Sequence, residues 1–210
     1  MSIALLLLVA VIGYLLGSVN TSIIVGKLLY GKDVRDMGSG NAGATNTLRS
    51  LGKKAAVLVL GGDALKGVLA CLIGRYVAGQ TAEGVWMGMY VAGFTAVIGH
   101  NWPVYFGFRG GKGVLTSAAV LLTIAPPPAL CCLAVFVMVL ALGRRVSLGS
   151  ILAAATFPVF AWFLGEPVAL VAVGALMAVL IIVRHHGNIR RLIDGTEPRI
   201  GERKEKTDIA

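Results

Sequence analysis

Seven apolar segments separated by short polar stretches dominate the pattern of the chain. They cover residues 3–29, 55–73, 85–98, 114–125, 127–142, 151–164 and 168–183. Because a helix that crosses a bilayer needs about 20 mainly apolar residues, this pattern predicts an all-α integral membrane protein of about seven transmembrane helices. Segments 114–125 and 151–164 are short for this role. They must therefore recruit flanking polar residues or be shielded by neighbouring helices.

Composition supports a membrane protein. The chain has 210 residues, of which 57% are hydrophobic and 14% charged, whereas soluble domains carry about 25% charged residues. The net charge of +9 is explained by basic cytoplasmic loops and anionic lipid, so no nucleic-acid partner is expected. We predict one membrane domain over residues 1–193, whose first helix is retained rather than cleaved as a signal peptide, and a polar cytoplasmic tail over 194–210.

The cysteines suggest no disulfide or zinc site. Cys71, Cys131 and Cys132 all lie in apolar segments and form no Cys-x-x-Cys pair. Free cysteines in such positions usually behave as small buried hydrophobic residues.

Prolines and charges together predict the topology. Pro126, Pro127 and Pro128 cannot all continue a helix, so the chain should turn there. The basic stretches 32–54, 109–112, 144–145 and 184–206 then fall on one side of the membrane. Since basic loops face the cytoplasm, we expect the N-terminus outside and the C-terminus in the cytoplasm.

The most informative polar stretch is residues 37–49, which contains three glycines and ends in an arginine. Glycines allow positive φ angles and let successive N–H groups converge on an anion. A short helix from Thr45 onward would add positive potential at its N-terminus. The spacing Gly38-x-Gly40-x-x-Gly43 also fits a dinucleotide-binding loop, but no strand is predicted before it. The stretch therefore predicts a phosphate site, with a flexible connecting loop as the alternative.

Three further polar clusters fall on the same predicted side. Residues 99–113 end in Gly110-Gly111-Lys112-Gly113 directly before a span, which predicts a second anion-binding loop. This loop lacks the first glycine and the hydroxyl residue of a Walker A motif. In the cluster 144–150, Ser147 and Ser150 begin a span, where they either cap the helix or bind substrate.

The fourth cluster, residues 184–192, contains two histidines and Asn188. If the helix continues through Gly187, His185 and Asn188 share one face. An unperturbed histidine titrates near neutrality, so His185 is a candidate general base. A phosphate of the substrate is the rival base. Arg190 and Arg191 are interpreted as anchors at the lipid headgroups.

Two charged residues, Asp63 and Lys66, lie three positions apart inside an apolar segment. Charges within a membrane are costly and mark either a buried ion pair or a functional site. Both interpretations stay open from the sequence.

The chemistry of the four clusters favours a small phosphorylated ligand. They combine two glycine-rich loops and several cations, and no grouped acidic ligands suggest a metal site. No nucleophile with a base and an orienting acid is evident either. A membrane transporter of a small phosphorylated solute is the alternative, but it would place such loops in the middle of spans.

These motifs resemble those of the bacterial acyl-phosphate:glycerol-3-phosphate acyltransferases. The stretch from Gly38 to Asn46 is similar to the first motif of that family, and the stretch from Gly99 to Gly113 to the second. Residues 147–150 and 184–192 are similar to the remaining two, and the four occur in the family's order. The chain also lacks the His-x4-Asp box of other glycerolipid acyltransferases, as this family does.

The resemblance implies a seven-helix enzyme of the bacterial inner membrane, with its active site on the cytoplasmic face. It would transfer a fatty acyl group from acyl phosphate to the 1-hydroxyl of sn-glycerol 3-phosphate, giving lysophosphatidic acid and inorganic phosphate. Its partners are these two substrates and membrane lipid, and no cofactor or metal is expected. The predicted catalytic residues are His185, Asn188 and Lys112. The predicted substrate-binding residues are Ser39, Gly40, Asn41, Gly43, Thr45, Asn46, Arg49, His100, Gly110, Gly111, Gly113, Ser147, Ser150 and Arg184.

Overall fold

A computed structural model describes residues 2–79 and 81–201. Over this part of the chain there are ten α-helices, two 3-10 helices (Val34–Asp36 and Val104–Phe106) and no strand. The α-helices are α1 (Ile3–Ser18), α2 (Thr21–Tyr30), α3 (Ala44–Leu51), α4 (Lys53–Ala78), α5 (Ala82–Asn101), α6 (Val114–Ile124), α7 (Pro126–Gly143), α8 (Val146–Phe163), α9 (Val168–Arg184) and α10 (His186–Ile193). The all-helical fold expected from the sequence is therefore confirmed.

Four helical stretches in the described chain are long and apolar enough to cross a membrane. They are Ile3–Tyr30, Lys53–Ala78, Pro126–Gly143 and Val146–Phe163. The pair α9 and α10, bent by 61°, would be a fifth if it forms one span. At 11 residues, α6 is only about 16 Å long, well short of a bilayer core. Seven spans and the orientation of the termini stay predictions.

The first apolar segment is not one helix, which corrects the prediction of a continuous element over residues 3–29. Helix α1 ends at Ser18, and the Asn20 side chain caps α2 by accepting a hydrogen bond from the backbone N–H of Ile23 at 3.2 Å. Between them Val19 is extended, with φ −68° and ψ 92°. Hydrophobicity does not reveal this break, because the residues around it remain mostly apolar.

The break predicted at the three prolines is confirmed. Helix α6 ends at Ile124, and Ala125 leaves the helical conformation with φ −142° and ψ 81°. The prolines then form the first turn of α7. In that turn the missing N–H groups have no intrahelical acceptor to lose.

Close glycine contacts bring α1, α4 and α5 together. A Cβ atom on Gly17 of α1 would lie 2.0 Å from the carbonyl oxygen of Ala96 on α5. One on Gly74 of α4 would lie 2.2 Å from the carbonyl oxygen of Gly88 on α5. Small residues allow helix backbones in membranes to approach closely. The three helices thus form a rigid support for the polar loops at one end.

The four polar clusters meet at the same end of the helices. Arg35 bonds to the carbonyl of Phe106, Arg184 bonds to that of Gly111, and Arg145 bonds to that of Glu197. At the opposite end, Arg75, Trp86 and Thr123 line a second cavity of about 320 Å³. The fold therefore builds one composite site from segments far apart in sequence.

Candidate active site

The first polar loop is held in shape by the buried side chain of Asn46. Its amide nitrogen donates to the carbonyls of Val34 and Met37 at 2.8 and 3.0 Å, and its oxygen accepts from the N–H of Ser39 at 2.9 Å. Gly38 and Gly40 have φ angles of 59° and 70°, which a side chain would strain. These contacts present Ser39 and Gly40 to solvent.

Arg35 joins the first loop to the second. Its Nε and Nη2 atoms donate to Asp33 at 3.0 and 2.8 Å, and its Nη1 atom donates to the carbonyl of Phe106 at 2.7 Å. Hydrogen bonding from Arg35 holds the pKa of Asp33 well below its usual range. Asp33 therefore stays ionised near neutral pH and orients the guanidinium.

The second loop packs so tightly that its glycines are required by space. The N–H groups of Gly110 and Gly111 donate to the carbonyls of Asn101 and His100 at 3.2 and 3.1 Å. A Cβ atom on Gly111 would lie 2.1 Å from Nε2 of His100. From the other side, Nη2 of Arg184 donates to the carbonyl of Gly111 at 2.8 Å. The loop is thus clamped between α5 and α9.

Asn188 connects the second loop to the end of the described chain. Lys112 Nζ donates to its side-chain oxygen, and its amide nitrogen donates to Glu197 Oε1 at 2.6 Å. Arg191 Nε donates to the other carboxylate oxygen of Glu197 at 2.7 Å. Burial would raise the pKa of Glu197, but the hydrogen bonds from Asn188 and Arg191 act against this and the pKa is lowered. The buried carboxylate is therefore ionised and fixes the orientation of the Asn188 amide.

The ammonium group of Lys112 loses its proton more readily than that of an exposed lysine. Burial lowers its pKa from 10.5 to about 8, opposed by Glu197 and reinforced by Arg191, Arg184 and Arg49. A bound phosphate would restore the charged form, because an opposite charge nearby favours ionisation.

These segments enclose an open cleft of about 330 Å³, a size suited to a small ligand. Among the described residues its lining contains five cationic side chains and no carboxylate. The lining residues are Arg35, Ser39, Gly40, Asn41, Phe108, Arg109, Gly110, Lys112, Arg184, His186, Gly187, Asn188 and Arg191. Such a surface favours anions with several negative charges.

The structure brings part of the predicted set to the cleft. Seven predicted residues line it: Ser39, Gly40, Asn41, Gly110, Lys112, Arg184 and Asn188. The other ten do not line it: Gly43, Thr45, Asn46, Arg49, His100, Gly111, Gly113, Ser147, Ser150 and His185. Asn46, His100 and Gly111 shape the two loops rather than face the cleft. Gly43 is extended, with φ −158°, and precedes α3.

Ser147 and Ser150 are buried and do not cap α8, so the capping interpretation is wrong. The residue before the helix is Arg145, and no side chain caps it. Ser150 donates instead to the carbonyl of Val146 at 2.9 Å. A serine hydroxyl inside a helix often bonds to the carbonyl four residues earlier.

The chain bends at His185, so His185 and Asn188 do not lie on one continuous helix. Helix α9 ends at Arg184 and α10 leaves at 61°. His185 is 3% exposed, and its Nδ1 atom lies 2.7 Å from the carbonyl oxygen of Ile181. Since a carbonyl can only accept, Nδ1 carries the proton and Nε2 keeps its lone pair.

Several cleft residues were not predicted from the sequence. Arg35 and Arg109 counted only as basic loop residues, and Arg191 was interpreted as a lipid anchor. The position of Arg109 directly before two glycines was a usable signal. Glu197 carried no signal, because its role depends on the chain turning back after α10 to bring it beside Asn188.

Comparison with known proteins shows the family of the chain. A family model described as glycerol-3-phosphate acyltransferase matches residues 7–195. The chain belongs to the glycerol-3-phosphate acyltransferase family. It is 44% identical to the glycerol-3-phosphate acyltransferase of Clostridioides difficile (strain 630), over 95% of this chain and 97% of that protein. It is 42% identical to that of Cereibacter sphaeroides, over 98% of this chain and 94% of that protein.

Solved structures of the acyltransferase PlsY (YgiH) share the fold. PlsY is an integral membrane glycerol 3-phosphate acyltransferase, and its glycerol 3-phosphate form has a TM-score of 0.85 and 40% identity, covering 93% of this chain and 96% of PlsY. Its lysophosphatidic acid form has a TM-score of 0.82 and 39% identity, covering 93% of this chain and 95% of PlsY. The resemblance inferred from the four motifs is therefore confirmed.

Proposed function

We propose that this acyltransferase moves a fatty acyl group from acyl phosphate to the 1-hydroxyl of sn-glycerol 3-phosphate. The products are 1-acyl-sn-glycerol 3-phosphate and inorganic phosphate, and no cofactor takes part. Membership of the glycerol-3-phosphate acyltransferase family supports the acceptor, as do the glycerol 3-phosphate and lysophosphatidic acid forms of PlsY. The choice of acyl phosphate as donor needs a separate argument.

The observation that carries this choice is the charge of the cleft. Two substrates that each carry a phosphate bring together about three to four negative charges near neutral pH. Of the five cations in the lining, Arg35 and Arg191 are already paired with carboxylates behind it, and the other three have no carboxylate partner among the described residues. A single phosphate would need fewer. In this proposal Lys112 and Arg49 hold the phosphate of glycerol 3-phosphate, with Ser39, and the remaining cations face the donor.

The proposed reaction is a direct transfer. The 1-hydroxyl oxygen attacks the carbonyl carbon of the acyl phosphate, the new ester bond forms, and the bond from that carbon to the phosphate oxygen breaks. Inorganic phosphate leaves, and the hydroxyl proton goes to a base. An acyl phosphate is already activated, so the enzyme mainly positions the substrates and neutralises phosphate charge.

Two groups compete for the role of base. His185 has a free lone pair on Nε2, but it is buried outside the cleft lining. The phosphate of the acyl donor is bonded to the carbonyl carbon that is attacked, so it lies at the reacting centre. This placement favours the phosphate, with His185 holding the start of α10 in position. Substitution of His185 by alanine should then lower kcat by less than the roughly 100-fold that marks loss of a general base.

We further propose that the cleft faces the cytoplasm of a bacterial inner membrane. The supporting observation is that the cationic loops all meet at one end, and basic loops are retained on the cytoplasmic side. Seven crossings would then put the N-terminus outside. Single cysteines at exposed positions Lys32 and Pro127, in a background without Cys71, Cys131 and Cys132, test this with an impermeant reagent. Labelling of intact cells at 127 alone is expected, and labelling at 32 alone would reverse the orientation.

The decisive assay mixes purified protein with glycerol 3-phosphate and one acyl donor at a time. Acyl phosphate should give lysophosphatidate and inorganic phosphate in equal amounts. Product from an acyl thioester but not from acyl phosphate would disprove the proposed donor. The transporter alternative finds no support in the geometry, since the cleft is built from loops and helix ends rather than from the middle of spans.

A further inference from the structure

A buried cluster of ionisable residues lies behind the second loop, outside the cleft lining. Asp63 and Lys66 on α4 and His100 on α5 are only 1%, 5% and 4% exposed. Lys66 Nζ lies 2.8 Å from Asp63 Oδ1 and 2.9 Å from His100 Nδ1. Asp63 and Lys66, whose role the sequence left open, therefore form an ion pair that also contacts a histidine.

Lys66 Nζ makes two hydrogen bonds and one ion pair. A charged lysine has three N–H donors and no lone pair. Its third donor bonds to the carbonyl of Val19 at 3.0 Å, which the break between α1 and α2 leaves without a helical partner. The ammonium thus contacts a carboxylate, an imidazole nitrogen and a carbonyl. Because the ammonium cannot accept, Nδ1 of His100 must accept, and a neutral ring then carries its proton on Nε2.

The Nε2 edge of His100 lies against the second loop. A Cβ atom on Gly111 would approach Nε2 to 2.1 Å, and the backbone N–H of Gly111 donates to the carbonyl of His100. Arg184 holds the same glycine from the cleft side. Lys112, which follows, points its ammonium at Asn188 in the cleft. The buried cluster is therefore linked to the cleft through one glycine.

We propose that Lys66 is a positioning residue that sets the tautomer of His100 and thereby fixes the loop that presents Lys112. The hydrogen bond from its ammonium to the carbonyl of Val19 reaches the α1–α2 break, so one side chain joins α4, α5 and that break. The expected change in the KM for glycerol 3-phosphate rests on the proposed function. The expected tautomer of His100 does not depend on that function.

The first test measures the ring directly. The chain has three histidines, so 15N-labelled histidine gives few signals, and His100→Gln assigns the one of interest. In the unmodified protein His100 should have a protonated Nε2 and an unprotonated Nδ1. A protonated Nδ1 would overturn the proposal, whatever the activity.

The second test removes both charges together. Asp63→Asn with Lys66→Met leaves no unpaired charge, so a purely structural ion pair predicts wild-type KM once the protein folds. Our proposal predicts a changed His100 tautomer and a KM for glycerol 3-phosphate raised about tenfold, the cost of one lost hydrogen bond of ordinary strength. The drop in kcat should be smaller. Lys54→Met, an exposed lysine on the same helix, is the matched control and should change neither.

The double variant separates the two hypotheses. A wild-type KM together with an unchanged tautomer would disprove positioning by Lys66. If the enzyme shows no acyl transfer at all, the proposed function fails, and the tautomer of the two proteins still decides the role of Lys66.

Discussion

Lys112 donates a hydrogen bond to the side-chain oxygen of Asn188, 76 positions further along the chain. Because the amide nitrogen of Asn188 is held by Glu197, the asparagine can offer only its oxygen to the lysine. The arrangement gives Lys112 a fixed direction in the cleft while leaving its charge uncompensated by a direct carboxylate. A cation held in this way is prepared to receive a phosphate.

Lys112→Met should lower kcat/KM for glycerol 3-phosphate by about 10- to 150-fold. The change removes a charged hydrogen-bond donor worth about 1.5–3 kcal/mol while keeping a side chain of similar length. Steady-state kinetics with acyl phosphate as donor measure the effect. Lys32→Met, at an exposed position outside the cleft lining, is the control. Equal kinetics for both variants would show that Lys112 does not bind substrate.

The pH profile should fall on its alkaline side near pH 8. Burial lowers the pKa of Lys112 to about 8, so the side chain is charged below that pH and neutral above it. Loss of the cation as pH rises should reduce kcat/KM, which reports groups of the free enzyme. Lys112→Arg keeps its charge to a pH above about 12, so this alkaline fall should disappear. Its persistence in that variant would assign it to another group.

Glu197→Gln should raise the KM for glycerol 3-phosphate and lower the melting temperature. The carboxylate accepts from both Asn188 and Arg191, whereas an amide offers one oxygen and sets its NH2 group against a donor. Since the pKa of Glu197 is lowered from 4.5, its contribution to stability is present above pH 4.5 and is lost as pH falls through the lowered value. Thermal melts at two pH values and kinetics test this.

The matched control for Glu197 is Glu83→Gln. Glu83 is exposed near the start of α5, so both melting temperature and KM should stay at their wild-type values. If the two variants behave alike, the contacts of Glu197 do not organise the cleft.

Local patterns predicted the two glycine-rich loops because their signals are short-range. The glycines from Gly38 to Gly43 and from Gly110 to Gly113 predict tight backbone turns from only a few residues. Helix α3 begins at Ala44, one residue from the predicted start. The apolar segments likewise predict the helices directly. The hydrophobic pattern alone does not reveal the break at Val19.

Residues that act through long-range contacts were missed for a physical reason. Arg35 reaches Phe106 and Arg109 across 71 and 74 positions, and no local spacing encodes such a meeting. The bend at His185 likewise depends on how α10 packs. Charge type could be predicted, but which cations converge depends on the fold.

Arg49→Ala should lower kcat/KM about 10- to 150-fold if this arginine holds phosphate, as the sequence predicts. In the structure it is exposed and donates to the carbonyl of Pro198 at 3.3 Å, outside the cleft lining. Arg49→Lys should rescue only partly, because the planar fork is lost. A lower melting temperature with unchanged KM would instead show that Arg49 only holds the segment around Pro198.

Direct transfer predicts that no acyl-enzyme accumulates. Ser147 and Ser150 are buried and outside the cleft lining, and a serine nucleophile needs an adjacent base to become reactive. Radiolabelled acyl phosphate, given without glycerol 3-phosphate and followed by denaturation, should leave the protein unlabelled. Stoichiometric label that chases onto added glycerol 3-phosphate would contradict direct transfer, and Ser39, the serine that lines the cleft, would then be the first nucleophile to substitute.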